Sequence, residues 1–237
     1  MTVQSPSTSI ATVKHPGPPL WLLASLYTVL FIAGLLPVTA FGGLPYWPGP
    51  WEPASVITYF FQTQASRVLA CMFLQTGATI CLGLFTAVIV SRLHFLGVRA
   101  AGVHIALYGG FLTVFNGIVG ACATWAMIHP AVAQSPSVLL ALYYFAFALG
   151  GPGFSIPMGL LMAGVSVTSA FRKLLPKWIV VLGLVLAAAG ELSVFYFLNP
   201  KLLFLIPLTR FPGFIWIVAV GFAMPNRPFV GAQARAA

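Results

Sequence analysis

Six apolar segments, each of about twenty residues or more, divide this chain of 237 residues. They are 20–42, 66–91, 102–128, one span within 138–171, 178–198 and 203–224. About twenty apolar residues in a helix cross the hydrocarbon core of a bilayer, which is ~30 Å thick. Because lipid cannot hydrogen-bond the backbone, each continuous apolar segment has to satisfy its own backbone as a helix. The sequence therefore predicts an all-α fold, a polytopic transmembrane bundle of six spans.

The scarcity of charge agrees with this prediction. Only 5% of the residues are charged and 60% are hydrophobic, and the mean hydropathy is +1.01. A soluble domain has about 25% charged residues and could not bury so much apolar surface. The composition thus excludes a soluble enzyme, a disordered chain and a disulfide scaffold. The net charge of +9 does not indicate a nucleic-acid partner, because the basic residues lie mainly between the apolar segments.

The positions of the lysines and arginines predict the orientation of the bundle. With a cytoplasmic N-terminus, most of them fall on the cytoplasmic side: Lys14, Arg92, Arg99, Arg172, Lys173, Lys177, Arg227 and Arg235. The positive-inside rule then places both termini in the cytoplasm. We expect a disordered cytoplasmic tail over 1–19, a membrane domain over 20–224 with its first span retained, and a cytoplasmic tail over 225–237.

Residues 44–62 do not fit a simple up-and-down bundle. They contain four prolines and two tryptophans, so they cannot form one helix. We expect an outer loop, followed from Ala54 by an interfacial helix or by an extension of the second span. The segments 44–63 and 129–150 together are predicted to form a cap on the outer face.

The stretch 138–171 is also irregular, because as one helix it would be roughly 50 Å long. The sequence Gly150-Gly151-Pro152-Gly153 interrupts it and predicts a break in the helix. We expect an outer half-helix over 138–150 and the true span over 154–171. Pro157 would then lie in the first turn of that span, where proline is tolerated.

The chain has two acidic residues, and one of them lies inside a span. Glu52 belongs to the proline-rich outer loop, whereas Glu191 lies in the fifth span. An ionised carboxylate in the membrane is costly unless it is paired, neutral or hydrated. Arg67 enters the second span from the outer side at a similar depth, which predicts an ion pair between Glu191 and Arg67. The pair is interpreted either as a proton, cation or ligand site, or as a structural link between helices.

Other polar residues extend this candidate site. Arg210 is predicted at the outer face of the sixth span, where it competes for Glu191 or reaches towards the interface. Gln64, Gln75 and Asn116 either surround a polar cavity with Glu191 or form hydrogen bonds between helices. The sequence has no zinc-site, P-loop or dinucleotide motif. We therefore expect no metal and no cofactor.

The second half of the chain resembles a known family over about 153–224. The similarity is carried by FSIPMGLLMAGV, by the basic turn RKLLPKWIVVLGLV and by FPGFIWIVAVGFAM. This succession resembles a family of uncharacterised bacterial six-span integral membrane proteins, classed as a domain of unknown function. The resemblance implies six helices and a multi-pass location in the bacterial cytoplasmic (inner) membrane. It implies no activity and no functional residue.

Three classes of function are compatible with the sequence. The first is binding or permeation of a small or lipophilic molecule in the outer half, around Glu191, Arg67, Gln64 and Asn116, beside the broken stretch 150–153. The second is an accessory or assembly subunit that packs on a membrane partner or on a second copy. The third is an intramembrane enzyme that uses Glu191 as acid or base. Membrane lipids are the expected partners in every case, and nucleic acid is not.

Overall fold

A computed structural model describes residues 14–227 of the protein, and this part of the chain is almost entirely helical. Its α-helices are α1 (Leu20–Leu35), α2 (Ala54–Thr63), α3 (Ala65–Phe95), α4 (Ala101–Met127), α5 (Pro130–Ala133), α6 (Pro136–Gly150), α7 (Pro152–Arg172), α8 (Lys177–Leu192) and α9 (Leu205–Ala223). Within residues 14–227, six helical segments are long and apolar enough to cross a membrane. The predicted fold class is confirmed, whereas the predicted orientation stays a prediction.

The spanning helices form a closed ring. Each of α1, α3, α4, α7, α8 and α9 packs against the next, and α9 packs back against α1. The core inside this ring is apolar, with Tyr27, Phe85 and Trp216 almost fully buried. Helices α3 and α8, which carry Arg67 and Glu191, are not neighbours in this ring.

The contact between α4 and α7 is close because glycines line both helices. A Cβ atom added to Gly164 of α7 would overlap the carbonyl oxygen of Gly102 and lie 2.6 Å from the Ala106 nitrogen, both on α4. A Cβ atom on Gly109 would lie 2.5 Å from the Pro157 carbonyl oxygen. Small residues let helix backbones approach in lipid, where no hydrophobic force drives helices together.

The fourth span is broken at the predicted place. Helix α6 ends at Gly150, Gly151 lies outside both helices with φ −90° and ψ −107°, and α7 begins at Pro152. The span therefore runs over 152–172, and the expected start at 154 is two residues late. As a consequence Pro157 lies inside α7 rather than in its first turn.

The predicted cap is present at one end of the bundle. Gln64 separates α2 from α3, so α2 is a helix of its own and not an extension of the second span. Helices α2, α5 and α6 contact one another, and the Gln62 side chain donates to the Ala133 carbonyl at 2.7 Å. Ile57, Phe60 and Phe61 of α2 belong to a second apolar core, which also includes Leu139 and Tyr143 of α6.

The two ends of the described part of the chain meet at the other end of the bundle. The backbone N–H of His15 donates to the Asn226 carbonyl at 2.9 Å. His15 Nε2 lies 3.0 Å from the Ser91 hydroxyl, and its ring packs edge-on against Phe95. Residues 14–19 of the predicted N-terminal tail thus lie beside the bundle. Residues 1–13 and 228–237 of the two predicted tails lie outside the described residues.

The His15 contact predicts a pH dependence. Burial, followed by the nearby charge of Arg92, lowers the pKa of His15 from its ordinary value of 6.5. A group whose pKa is lower in the folded state stabilises the fold above its unfolded value, here pH 6.5, and loses that contribution as the pH falls through its folded value. At pH values below 6.5, we expect the thermal unfolding midpoint of the wild type to decrease relative to that of His15→Gln. Midpoints measured between pH 5 and 8 test this, and parallel curves for the two proteins would contradict it.

Candidate functional site

Arg67 does not pair with Glu191, so the predicted ion pair is wrong. The Arg67 guanidinium donates to the backbone carbonyls of Pro37 at 2.5 Å, Gly43 at 2.7 Å and Pro45 at 3.2 Å. It also donates to Gln64 Oε1 at 3.0 Å. All these acceptors are neutral, and three belong to the loop that follows α1. Arg67 and Gln64 therefore hold this loop in place beside the cap.

Glu191 lies on the other side of the ring, near the end of α8. A Cβ atom added to Gly159 of α7 would lie 3.2 Å from Glu191 Oε1, so this oxygen sits against the α7 backbone. Oε1 is buried and has no hydrogen-bond partner among the described residues. The intramembrane-enzyme hypothesis required a second titratable group within hydrogen-bond reach of Glu191, and the described residues provide none. The pairing prediction failed because matched depth says nothing about which helices are neighbours.

A cavity of about 370 Å³ lies between the ring and the cap. Its walls come from α1, α3, α4, α6, the start of α7 and α9, and from Val38, Thr39 and Trp47 of the loop after α1. The walls are mostly apolar. Polar side chains on them are Thr39, Gln75, Thr79, Asn116, Thr124, Tyr143 and Arg210.

Two backbone carbonyls beside this cavity lack a helical donor, one because of the helix break and one because of Pro157. Pro157 has no N–H, so the carbonyl of Gly153, four residues earlier, lacks its helical donor. The Asn116 side-chain amide donates to the Gly153 carbonyl instead. In the same way Arg210 donates to the carbonyl of Gly150, the last residue of α6. Irregular backbone at membrane depth needs cover from protein or a cavity, and here it has both.

Arg210 is the one charged side chain on the cavity wall among the described residues. Its guanidinium carbon lies 4.5 Å from the ring centre of Phe154 and 5.5 Å from that of Phe31. Its Nε is buried without a hydrogen-bond partner. No carboxylate lies within ion-pair distance of it in the described part of the chain, where Glu52 and Glu191 are the two acids. The guanidinium therefore has aromatic and carbonyl neighbours but no counterion.

The structure brings together about half of the predicted site. Gln75, Asn116, Arg210, Gly150 and Gly151 line one cavity, whereas Gln64, Arg67 and Glu191 do not. The aromatic residues on the wall were not predicted from the sequence; they are Phe31, Trp47, Tyr143, Phe147 and Phe154. Composition alone could not find these residues because aromatic residues are common throughout the chain. The break and Pro157 were usable signals, since the carbonyls that they leave without helical donors need other partners.

Residues 14–227 contain no group of three or more histidine, cysteine or acidic side chains placed to hold a metal ion. No family model, no curated protein and no solved structure matches the chain.

Proposed function

We propose that this membrane protein binds a small amphipathic molecule in the cavity between the ring and the cap. The observation that carries the proposal is a mostly apolar cavity with one half-buried cation, Arg210, on its wall. Binding sites for small molecules are typically concave, largely apolar and provided with a few polar groups that fix orientation. The site first expected around Glu191 is thereby moved to Arg210, Asn116 and Gln75.

The size of the cavity supports a small ligand. Its volume of about 370 Å³ is near the lower limit of known ligand pockets, which run from roughly 300 to 1,000 Å³. Fully buried side chains such as Leu82, Phe85 and Leu161 fill the core of the ring. A packed core favours binding over permeation. We also propose a bacterial cytoplasmic membrane as the location, with both termini in the cytoplasm and membrane lipids as partners. This part of the proposal is supported by the sequence.

The position of Trp47 on the cavity wall offers a direct test. Brominated amphiphiles quench tryptophan on contact, so bromooctanol and bromooctanoate are titrated into the protein in nanodiscs. We expect at least one of them to quench Trp47 saturably. The saturable component should disappear in Trp47→Phe, because quenching of lipid-facing tryptophans by probe dissolved in the bilayer rises without saturation.

A cavity-filling variant supplies the control. Gly120 lines the cavity, and a Cβ atom there has no neighbour closer than 3.8 Å, so Gly120→Phe can fill the space. Cys122→Phe adds the same side chain to an exposed position of α4 that is not on the wall. We expect binding to be lost in Gly120→Phe and kept in Cys122→Phe, with Ala121→Leu as a second filler if the first does not fold. Equal binding in all variants, or no saturable binding of either probe, overturns the proposal; the latter favours the accessory-subunit alternative.

A further inference from the structure

We infer that the ligand of this cavity carries an anionic head group, which binds the Arg210 guanidinium. The inference rests on the proposed function, because it names the chemistry of the molecule that the cavity takes. The head group is a carboxylate or a phosphate, and the remainder of the molecule is apolar. Arg210 is then the residue that determines specificity in this site.

The first argument is the missing counterion. Arginine stays charged in proteins, and an uncompensated cation inside a membrane is costly. Both acids of the chain are described, and neither lies within ion-pair distance of Arg210 or on the cavity wall. The charge is therefore not neutralised by any side chain of the described protein.

The second argument concerns the groups that do surround Arg210. The Phe31 and Phe154 rings and the Gly150 carbonyl offset part of the charge, the carbonyl also because it ends helix α6. Arginine has five N–H donors in a planar fork, and the structure records one of them in a hydrogen bond. Carboxylate and phosphate oxygens match this fork and form strong, charge-assisted hydrogen bonds with it.

The third argument is the contrast between Arg210 and the rest of the wall. Beyond the arginine, the cavity is bounded by side chains such as Leu35, Val38 and Met72 and by the aromatic residues of the cap. These side chains suit an alkyl or aromatic tail. The amide of Gln75, which also lies on the wall, adds a further hydrogen-bonding group without adding charge. One charged end and one apolar end in the ligand thus correspond to the two kinds of wall.

The two brominated probes form a matched pair for the test, since both have the same chain and bromooctanoate alone is charged at neutral pH. We expect bromooctanoate to bind the wild type about tenfold or more tightly than bromooctanol, as a charge-assisted hydrogen bond implies. In Arg210→Gln the two affinities should become equal, because the charge that distinguishes the two probes has lost its partner. Arg210→Lys keeps a cation and should keep part of the preference if Arg210→Gln does not fold.

The outcomes separate this inference from the proposed function. Equal wild-type affinities for the two probes leave the binding cavity standing and overturn the anion inference, so that Arg210 only caps α6. A carboxylate preference that survives in Arg210→Gln also overturns it. Absence of saturable binding for both probes overturns the proposed function and the inference together.

The anion has two possible sources, a free amphiphile or a lipid head group. Nanodiscs of zwitterionic phosphatidylcholine are compared with nanodiscs that contain anionic phosphatidylglycerol. Competition by phosphatidylglycerol against bromooctanoate identifies a lipid head group at Arg210. Unchanged bromooctanoate affinity identifies a free amphiphile. Either result supports an anion at this site, provided that the carboxylate preference depends on Arg210.

Discussion

Gly164→Ala is expected to separate α4 from α7 and to destabilise the bundle by about 1–3 kcal/mol or more. The added methyl group has no room, because its position overlaps the Gly102 carbonyl oxygen and lies 2.6 Å from the Ala106 nitrogen. Backbone atoms cannot move aside like the end of a flexible side chain, so the two helices have to shift as units. Unfolding by sodium dodecyl sulfate in mixed micelles, followed by far-ultraviolet circular dichroism, measures the change in free energy.

Gly83→Ala is the matched control for this experiment. Gly83 also lies within a spanning helix, but a Cβ atom there would meet only the Val114 side chain, at an ordinary contact distance of 3.5 Å. Alanine is a better helix former than glycine by up to ~1 kcal/mol. We therefore expect Gly83→Ala to be neutral or stabilising. Equal losses in the two variants would show that backbone proximity between α4 and α7 is not the cause.

Asn116→Ala is expected to cost about 1–2 kcal/mol, and the cost should depend on Pro157. The Asn116 amide donates to the Gly153 carbonyl, which has no helical donor because residue 157 is proline. Pro157→Ala restores an N–H at that position, so the carbonyl regains a partner within its own helix. In the Pro157→Ala background, the loss caused by Asn116→Ala should fall to less than half. The same detergent unfolding assay gives all four free energies.

A double-mutant cycle makes this prediction specific. The coupling energy between Asn116 and Pro157 should be well above zero, even though the Asn116 amide bonds the Gly153 carbonyl and not Pro157. Thr76→Ala serves as the control partner, since Thr76 donates to Met72 of its own helix α3, which does not neighbour α7 in the ring. Its effect should add to that of Pro157→Ala. Full additivity for Asn116 as well would mean that the amide does not compensate for the missing N–H.

The fold was predictable to the extent that hydropathy and proline chemistry determine it. Spans in lipid are long apolar segments, so six of them could be identified without any tertiary information. The break at 150–153 followed from Gly151 and Pro152, and the separate cap from the proline density of 44–62. The order of the helices around the ring could not be predicted in this way. Apolar faces in lipid carry little information about which helix they contact, since lipid tails are as apolar as leucine.

The site was predicted in part for the same reason. Arg210, Asn116 and Gln75 were identifiable as rare polar residues within spans. Their grouping with Glu191 and Arg67 was wrong, because depth along the membrane normal was used as a substitute for neighbourhood around the ring. Arg67 shows a second limit. Its acceptors are mainly backbone carbonyls of Pro37, Gly43 and Pro45, and no side-chain pattern in the sequence marks a carbonyl as free.

The closure of the ring has a consequence for how the chain is made. Tyr27 of α1 is 1% exposed and packs against Phe214 of α9, with ring centres 5.6 Å apart. The first helix thus obtains its final neighbour from the last one, about 170 residues later in the chain. At translation rates of about 5–20 residues per second, α1 waits roughly ten to thirty seconds for that neighbour. During this interval the face of α1 that later packs against α9 has to be covered by lipid, by the insertion machinery or by a membrane chaperone.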